Sequence, residues 1–125
     1  MRNDTLLLAL RPKLTIDENQ DTSEIEKFQN NTLRPILKFQ NDLLVALVND
    51  APHFARIQNR VSSADEYKSE VISFIKQQSA LKNQIIGLVV GHFTPNEYSD
   101  YVINRNELNK RIVQMAGERV AVWEG

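Results

Sequence analysis

Six side chains capable of acid–base or anion chemistry fall between positions 92 and 105: His92, Glu97, Tyr98, Asp100, Tyr101 and Arg105. An imidazole, a carboxylate and a phenol within hydrogen-bond reach can pass protons, and a guanidinium beside them can hold an anion. His92, Glu97, Tyr101 and Arg105 are therefore the candidates for a catalytic or ligand-binding cluster. Each also has a structural use. Thr94-Pro95-Asn96-Glu97 is a helix start, with a Thr cap, Pro at the first helical position and Glu at the third. That signal employs Glu97 as a cap, and Tyr98 and Tyr101 sit at the spacing of an amphipathic helix face.

The rest of the chemical inventory is thin. His53 and His92 are the only histidines, and neither belongs to a His-x-x-x-His or Glu-x-x-His pattern. The chain has no cysteine, which removes disulfides, thiolate nucleophiles and thiolate metal sites together. Ser62, Ser63 and Ser79 lack the context of a nucleophile elbow, and no phosphate loop or dinucleotide fingerprint occurs. The residues thus predict no metal and no cofactor, and they favour a non-enzymatic protein.

The elements that must position these groups follow from the apolar rhythm. Ile85-Ile-Gly-Leu-Val-Val-Gly-His-Phe93 is the most apolar run in the chain, and it leads directly into the Thr94 helix start. The other helices are expected to cover it. Going backward, apolar positions at Tyr67, Val71, Phe74, Ile75, Leu81, Ile85, Leu88, Val89 and His92 keep one helical phase. The spacing predicts one helix over residues 64–93, with a break at Ser79 as the alternative. Ser63 with Glu66 supplies its capping box.

An earlier helix starts at Ser23, capped with Glu26, and carries Ile25, Phe28, Leu33, Ile36, Leu37, Leu43, Leu44, Leu47 and Val48 on one stripe. Pro35 lies inside it and predicts a kink or a break, because its ring removes one backbone hydrogen bond. Gln40 falls on the apolar face and needs a partner. Phe54, Ile57 and Val61 suggest a short connecting helix. The last helix runs from Thr94 through Leu108, Ile112 and Ala116 to Val120 or Trp123, with Arg105 and Arg119 on its apolar side. Before all of these, residues 4–10 form a short helix that Asn3 or Asp4 can cap and Pro12 ends. Lys13–Asp21 reads as a loop whose Leu14 and Ile16 tuck against the body.

The predicted fold is all-α: a compact antiparallel bundle of three long helices plus one or two short ones. It forms one domain over 1–125, with an N-terminal arm at 1–22 and the bundle at 23–122. With 125 residues, 42% of them hydrophobic and 25% charged, the chain can bury a core without staples. Fifteen basic and sixteen acidic residues are interspersed, giving a net charge of −1. No basic stripe exists to displace counterions from phosphates, so no nucleic-acid partner is expected. No apolar run approaches the ~20 residues of a membrane span, and the apolar start behind Asp4 is too short for a signal peptide. A soluble, cytoplasmic protein is the expectation.

The run at 85–93 carries one more reading. Leu88, Val89 and His92 share a face with Ile85, whereas Gly87 and Gly91 point the opposite way, with Ile86 and Val90 between the two faces. Two glycines four apart let another backbone approach closely. Ile86, Gly87, Val90 and Gly91 are accordingly candidates for a two-fold contact in a homodimer. The alternative is that residues 4–10 or the last helix cover the glycine face within one chain.

Two longer patterns carry a resemblance: Phe28-Gln-Asn-x-Thr-Leu-Arg-Pro-Ile-Leu-Lys-x-Gln-Asn41 and Leu81-Lys-Asn-x-x-Ile-Gly-x-x-x-Gly-x-Phe-Thr-x-x-Glu-Tyr98. Together they resemble a group of small helical bacterial proteins, some of which carry the label glyoxalase. The resemblance implies a helical fold and brings no catalytic residues. Glyoxalase I enzymes resemble paired βαβββ modules with a metal held by His and Glu on strands, and this chain has few strand-like alternations.

Overall fold

The computed structural model describes residues 3–14 and 22–122, and among these every regular element is a helix and none is a strand. The order is α1 (Asp4–Ala9), α2 (Glu24–Phe28), a π turn (Gln29–Leu33), α3 (Arg34–Phe39), α4 (Asn41–Asp50), α5 (Ala55–Arg60), α6 (Ala64–Gln77), α7 (Ser79–Val90), α8 (Pro95–Ile103) and α9 (Arg105–Val120). Expectations for Ile16 and Trp123 lie outside the described residues.

The helix starts obey local chemistry. Asn3 Oδ1 accepts from the Leu6 N–H at 3.2 Å, Ser23 Oγ from Glu26 at 3.1 Å and Ser63 Oγ from Glu66 at 3.1 Å. Thr94 and Glu97 complete a reciprocal box, with Thr94 Oγ1 accepting from Glu97 N and Glu97 Oε1 accepting from Thr94 N. Each such cap satisfies backbone donors that a helix leaves open, worth about 1 kcal/mol.

The long helices are observed as shorter segments. At Pro35 the ladder loses the N–H that would bond the Asn31 carbonyl, and the turn ahead of it widens: the Arg34 N–H bonds Gln29 O, five residues back. The response to the proline is therefore a π turn. The next interruption is at Gln40, whose backbone (φ −95°, ψ 11°) separates α3 from α4.

Residues 64–93 form two helices, not one. Gln78 is extended (φ −101°, ψ 91°) between α6 and α7. Lys76, Gln77, Gln78, Ser79 and Ala80 are all exposed, so no burial holds the backbone on a straight path. A straight helix over 64–90 would run about 40 Å, whereas the 16 residues of α9 span only about 24 Å. Both α6 and α7 pack on α9, and a bend lets each stay on it. Asn104 (φ −124°, ψ 37°) likewise divides the last helix. It leaves Ile103 exposed while Leu108, Ile112 and Ala116 enter the core.

The organising element is α9. It packs against α4, α6, α7, α8 and the π turn, although it is polar outside its buried face. Leu108, Ile112, Val113, Ala116, Gly117 and Val120 are its buried residues. They meet Leu33, Ile36, Leu37, Leu44 and Val48 from the first half of the chain, and Val71, Ile75, Leu81, Ile85 and Val89 from α6 and α7, in one cluster. Full burial of each such side chain is worth about 1.5–3 kcal/mol. Leu43 and Tyr98, expected on apolar stripes, are exposed instead. At Gly117 the α6 and α9 backbones approach so closely that a Cβ would lie 2.6 Å from Ile72 Cγ1 and 3.4 Å from Ile72 Cα.

The face of α7 bearing Gly87 and Gly91 is exposed. A Cβ at Gly87 would meet nothing within 4 Å, and one at Gly91 would meet only carbonyls of its own helix. Neither Cβ would come within 4 Å of a side chain of α1 or α9, the two elements weighed as an intrachain cover for this face.

Candidate functional site

Glu97 sits at the first turn of α8, where the cap fixes its carboxylate beside the Thr94 N–H. Arg11, just past α1 in the N-terminal arm, brings its guanidinium onto that carboxylate. Nη1 donates to Glu97 Oε2 at 2.7 Å and Nη2 to Glu97 Oε1 at 2.7 Å, a bidentate pair. Arg11 Nη2 also donates to the His92 carbonyl at 2.6 Å, closing the end of α7. Thr32, buried in the π turn, donates Oγ1 to Glu97 Oε2 at 3.2 Å. The pair is largely withdrawn from water, with side-chain exposures of 8% for Arg11 and 18% for Glu97. One node thus joins the arm, the π turn, α7 and α8.

Burial on its own pushes the Glu97 carboxyl up. The Arg11 hydrogen bonds, the Thr94 N–H, the Arg11 charge and the Thr32 hydroxyl together outweigh it and hold the group below its ordinary value of 4.5. A general base needs an accepting lone pair facing substrate and an affinity for protons near working pH. Glu97 accepts from four donors and stays ionised. Its chemistry is that of a fastener.

The other three candidates are engaged separately. His92 Nε2 lies 2.7 Å from Gln40 Nε2, and because an amide nitrogen only donates, this ring nitrogen is the acceptor. That contact also answers the polar demand of Gln40. The Phe39 ring stands edge-on to His92 with centroids 5.6 Å apart. Tyr101 donates to Asn109 Oδ1 at 2.5 Å and is buried. Arg105 donates to the Tyr98 hydroxyl at 3.1 Å and lies 5.7 Å from the Tyr101 ring centre. Beneath them Phe93 packs edge-on against Phe28 (5.5 Å) and Tyr101 (5.4 Å), pairs worth about 0.5–1.5 kcal/mol each. The junction is filled. His92 and Glu97 meet through Arg11, and Tyr101 and Arg105 form a second group.

Concave surface lies elsewhere. A groove of about 910 Å³ runs between α7 and α9, and clefts of about 490 and 420 Å³ flank α2 and the arm. None of His92, Glu97, Tyr101 and Arg105 lines any of the three, although Arg11 reaches the 420 Å³ cleft. Of the interface candidates, Gly87 and Gly91 are exposed, while Ile86 and Val90 are half-buried against the core. Among the described residues no three His, Asp or Glu side chains come together as a metal site, and no helix is long and apolar enough to cross a membrane.

Arg11 and Thr32 are the members of the site that sequence reasoning missed. Arg11 stands 86 positions from Glu97 beside an ordinary helix-ending proline, and Thr32 looks like one more polar residue in an amide-rich turn. The available signal was indirect: a capping carboxylate next to an apolar run invites a buried counter-charge. Arg119, expected on the apolar side of the last helix, is half-buried, and burial first and the nearby Arg34 second lower its proton affinity. Searches of family models, of characterised proteins and of solved structures return no match to this chain.

Proposed function

We propose that the protein is a non-catalytic interaction protein that acts as a homodimer, its chains crossing through segment 85–93 at the end of α7 with Gly87 and Gly91 at the contact. The observation that carries this reading is the open glycine face, on which an added side chain at Gly87 would meet nothing. Backbone-level approach of a second helix needs that openness. Partial exposure of Ile86 and Val90 beside it, and the exposed ring of Phe39 standing on His92 next to Gly91, extend the face with apolar surface. A surface of this kind fits an isologous two-fold contact. The protein is proposed to work in the cytoplasm, in line with the absence of cysteine.

A ligand pocket at the His92–Arg105 junction has no comparable support, since His92, Glu97, Tyr101 and Arg105 are each hydrogen-bonded to other side chains and line none of the three cavities. Multi-angle light scattering tests the dimer. The native protein should run at twice its chain mass, and Gly87→Leu and Gly91→Leu should run as folded monomers. A native protein that stays monomeric at high micromolar concentration defeats the proposal.

A further inference from the structure

The groove between α7 and α9 has a chemistry unlike the rest of the surface. Its floor is apolar, formed by Ile86, Val113 and Met115. Lysines stand around it: Lys76 from the end of α6, Lys82 from α7 and Lys110 from α9. None of the three has an ion-pair partner among the described residues. Arg111 also lines the groove but is already occupied, pairing with Glu107 at 3.2 Å and donating to Gln29 Oε1 at 2.8 Å. The single carboxylate on the lining, Glu118, accepts from Gln114. Three uncompensated ammonium groups therefore surround an apolar floor in a chain whose net charge is −1.

The groove follows α9 from Asn106 to Glu118, about 18 Å at the rise of a helix. That length suits about three turns of a docked helix. Its openness and apolar floor match the helix-in-groove mode, in which apolar anchors enter the groove and flanking charges meet its rim. We propose that this groove binds an acidic amphipathic helix of a partner protein, its apolar side chains on Ile86, Val113 and Met115 and its carboxylates on Lys76, Lys82 and Lys110. Charge complementarity selects acidic flanks. The remainder of the chain is net acidic and selects against a long polyanion, whose phosphates would run past the basic stretch. The groove is separate from the glycine face, and only Ile86 borders both.

The probe is a fluorescein-labelled synthetic helix of Leu, Ala and Glu, with leucines at i, i+3, i+4 and i+7 and glutamates on their flanks, titrated by fluorescence anisotropy. It should bind, and the same peptide with Lys for Glu should not. The double reversal Lys82→Glu/Lys110→Glu should weaken binding by about tenfold or more with an unchanged circular dichroism spectrum, whereas Gly87→Leu should leave the affinity as it is. Four results each overturn the proposal: no binding of the acidic helix at millimolar protein, equal binding of the Lys peptide, dodecanoate or single-stranded DNA binding as tightly as the peptide, or affinity indifferent to the double reversal. Loss of binding in Gly87→Leu would put the peptide on the glycine face and defeat the groove assignment while leaving the dimer to its own test.

Discussion

Removing the Arg11 side chain should expose how the arm is fastened. Arg11→Met leaves the Glu97 carboxylate inside the node with its Thr94 and Thr32 donors but without its counter-charge. The His92 carbonyl loses its guanidinium donor in the same step. Breaking a buried ion pair from one side costs about 3–5 kcal/mol. Here α1 buries none of its residues, so the arm can swing off and let water reach Glu97, which relieves part of the penalty. The low end of the range is therefore expected, about 3 kcal/mol, or a fall of about 10 °C in Tm for a chain of this size. The assay is urea denaturation of native protein, Arg11→Met, Glu97→Gln and the double variant, with amide exchange read on the arm. The double variant should recover about 1–2 kcal/mol relative to the sum of the singles, which is the coupling of a direct pair. Residues 4–10 should exchange faster in every variant lacking the pair.

The pH dependence gives the same node a second readout. Because Glu97 titrates below 4.5 in the folded protein, its contribution is fully present above the unfolded value and disappears as pH falls through the folded one. The loss caused by Glu97→Gln should therefore be full at pH 7 and shrink as the solution is acidified below about pH 4.5. A loss under about 0.5 kcal/mol in Arg11→Met, together with zero coupling, would falsify the fastener account.

Three glycine and turn variants probe the packing. Gly117→Ala gains up to about 1 kcal/mol of helix propensity but drives a methyl into Ile72, and overpacking at about 1–3 kcal/mol should win, for a net loss near 1 kcal/mol in urea titrations. Gly87→Ala meets open space, so at sub-micromolar protein it should raise stability by about 0.5–1 kcal/mol; a loss there would mean the face is covered even in the monomer. His53 holds φ at +70° at the turn after α4, a conformation that costs a side chain about 1 kcal/mol, so His53→Gly should stabilise the fold by up to that amount. An unchanged Tm in His53→Gly would contradict that reading of the turn.

Much of the fold was legible because its signals are local. Ser23, Ser63 and Thr94 announced their helices through side chain and backbone geometry within three residues. Tyr67, Val71, Ile75, Leu81, Ile85 and Val89 announced the buried stripe of α6 and α7 through spacing alone. The breaks were hidden for the same reason. Gln78 interrupts the helix without disturbing the apolar phase on either side, and the need to bend comes from the length of α9, a tertiary fact. Asn104 is hidden likewise, since Leu108, Ile112 and Ala116 continue at helical spacing. The hub itself was not legible: α9 is mostly polar, and its role comes from a narrow face with Gly117 pressed on Ile72. At the junction the sequence placed Glu97 as a cap, but the partner that fixes its charge arrives from Arg11, and no spacing rule links positions so far apart.

The measurement that bears most directly on the account is the solution mass of the native protein with and without an obstructed glycine face. Light scattering across a dilution series should give twice the chain mass of 14.4 kDa for the native protein, falling to a single chain on dilution, and a single chain throughout for Gly87→Leu with its helical spectrum intact. A single-chain mass for the native protein at every concentration, or a dimer that survives Gly87→Leu and Gly91→Leu alike, would contradict it.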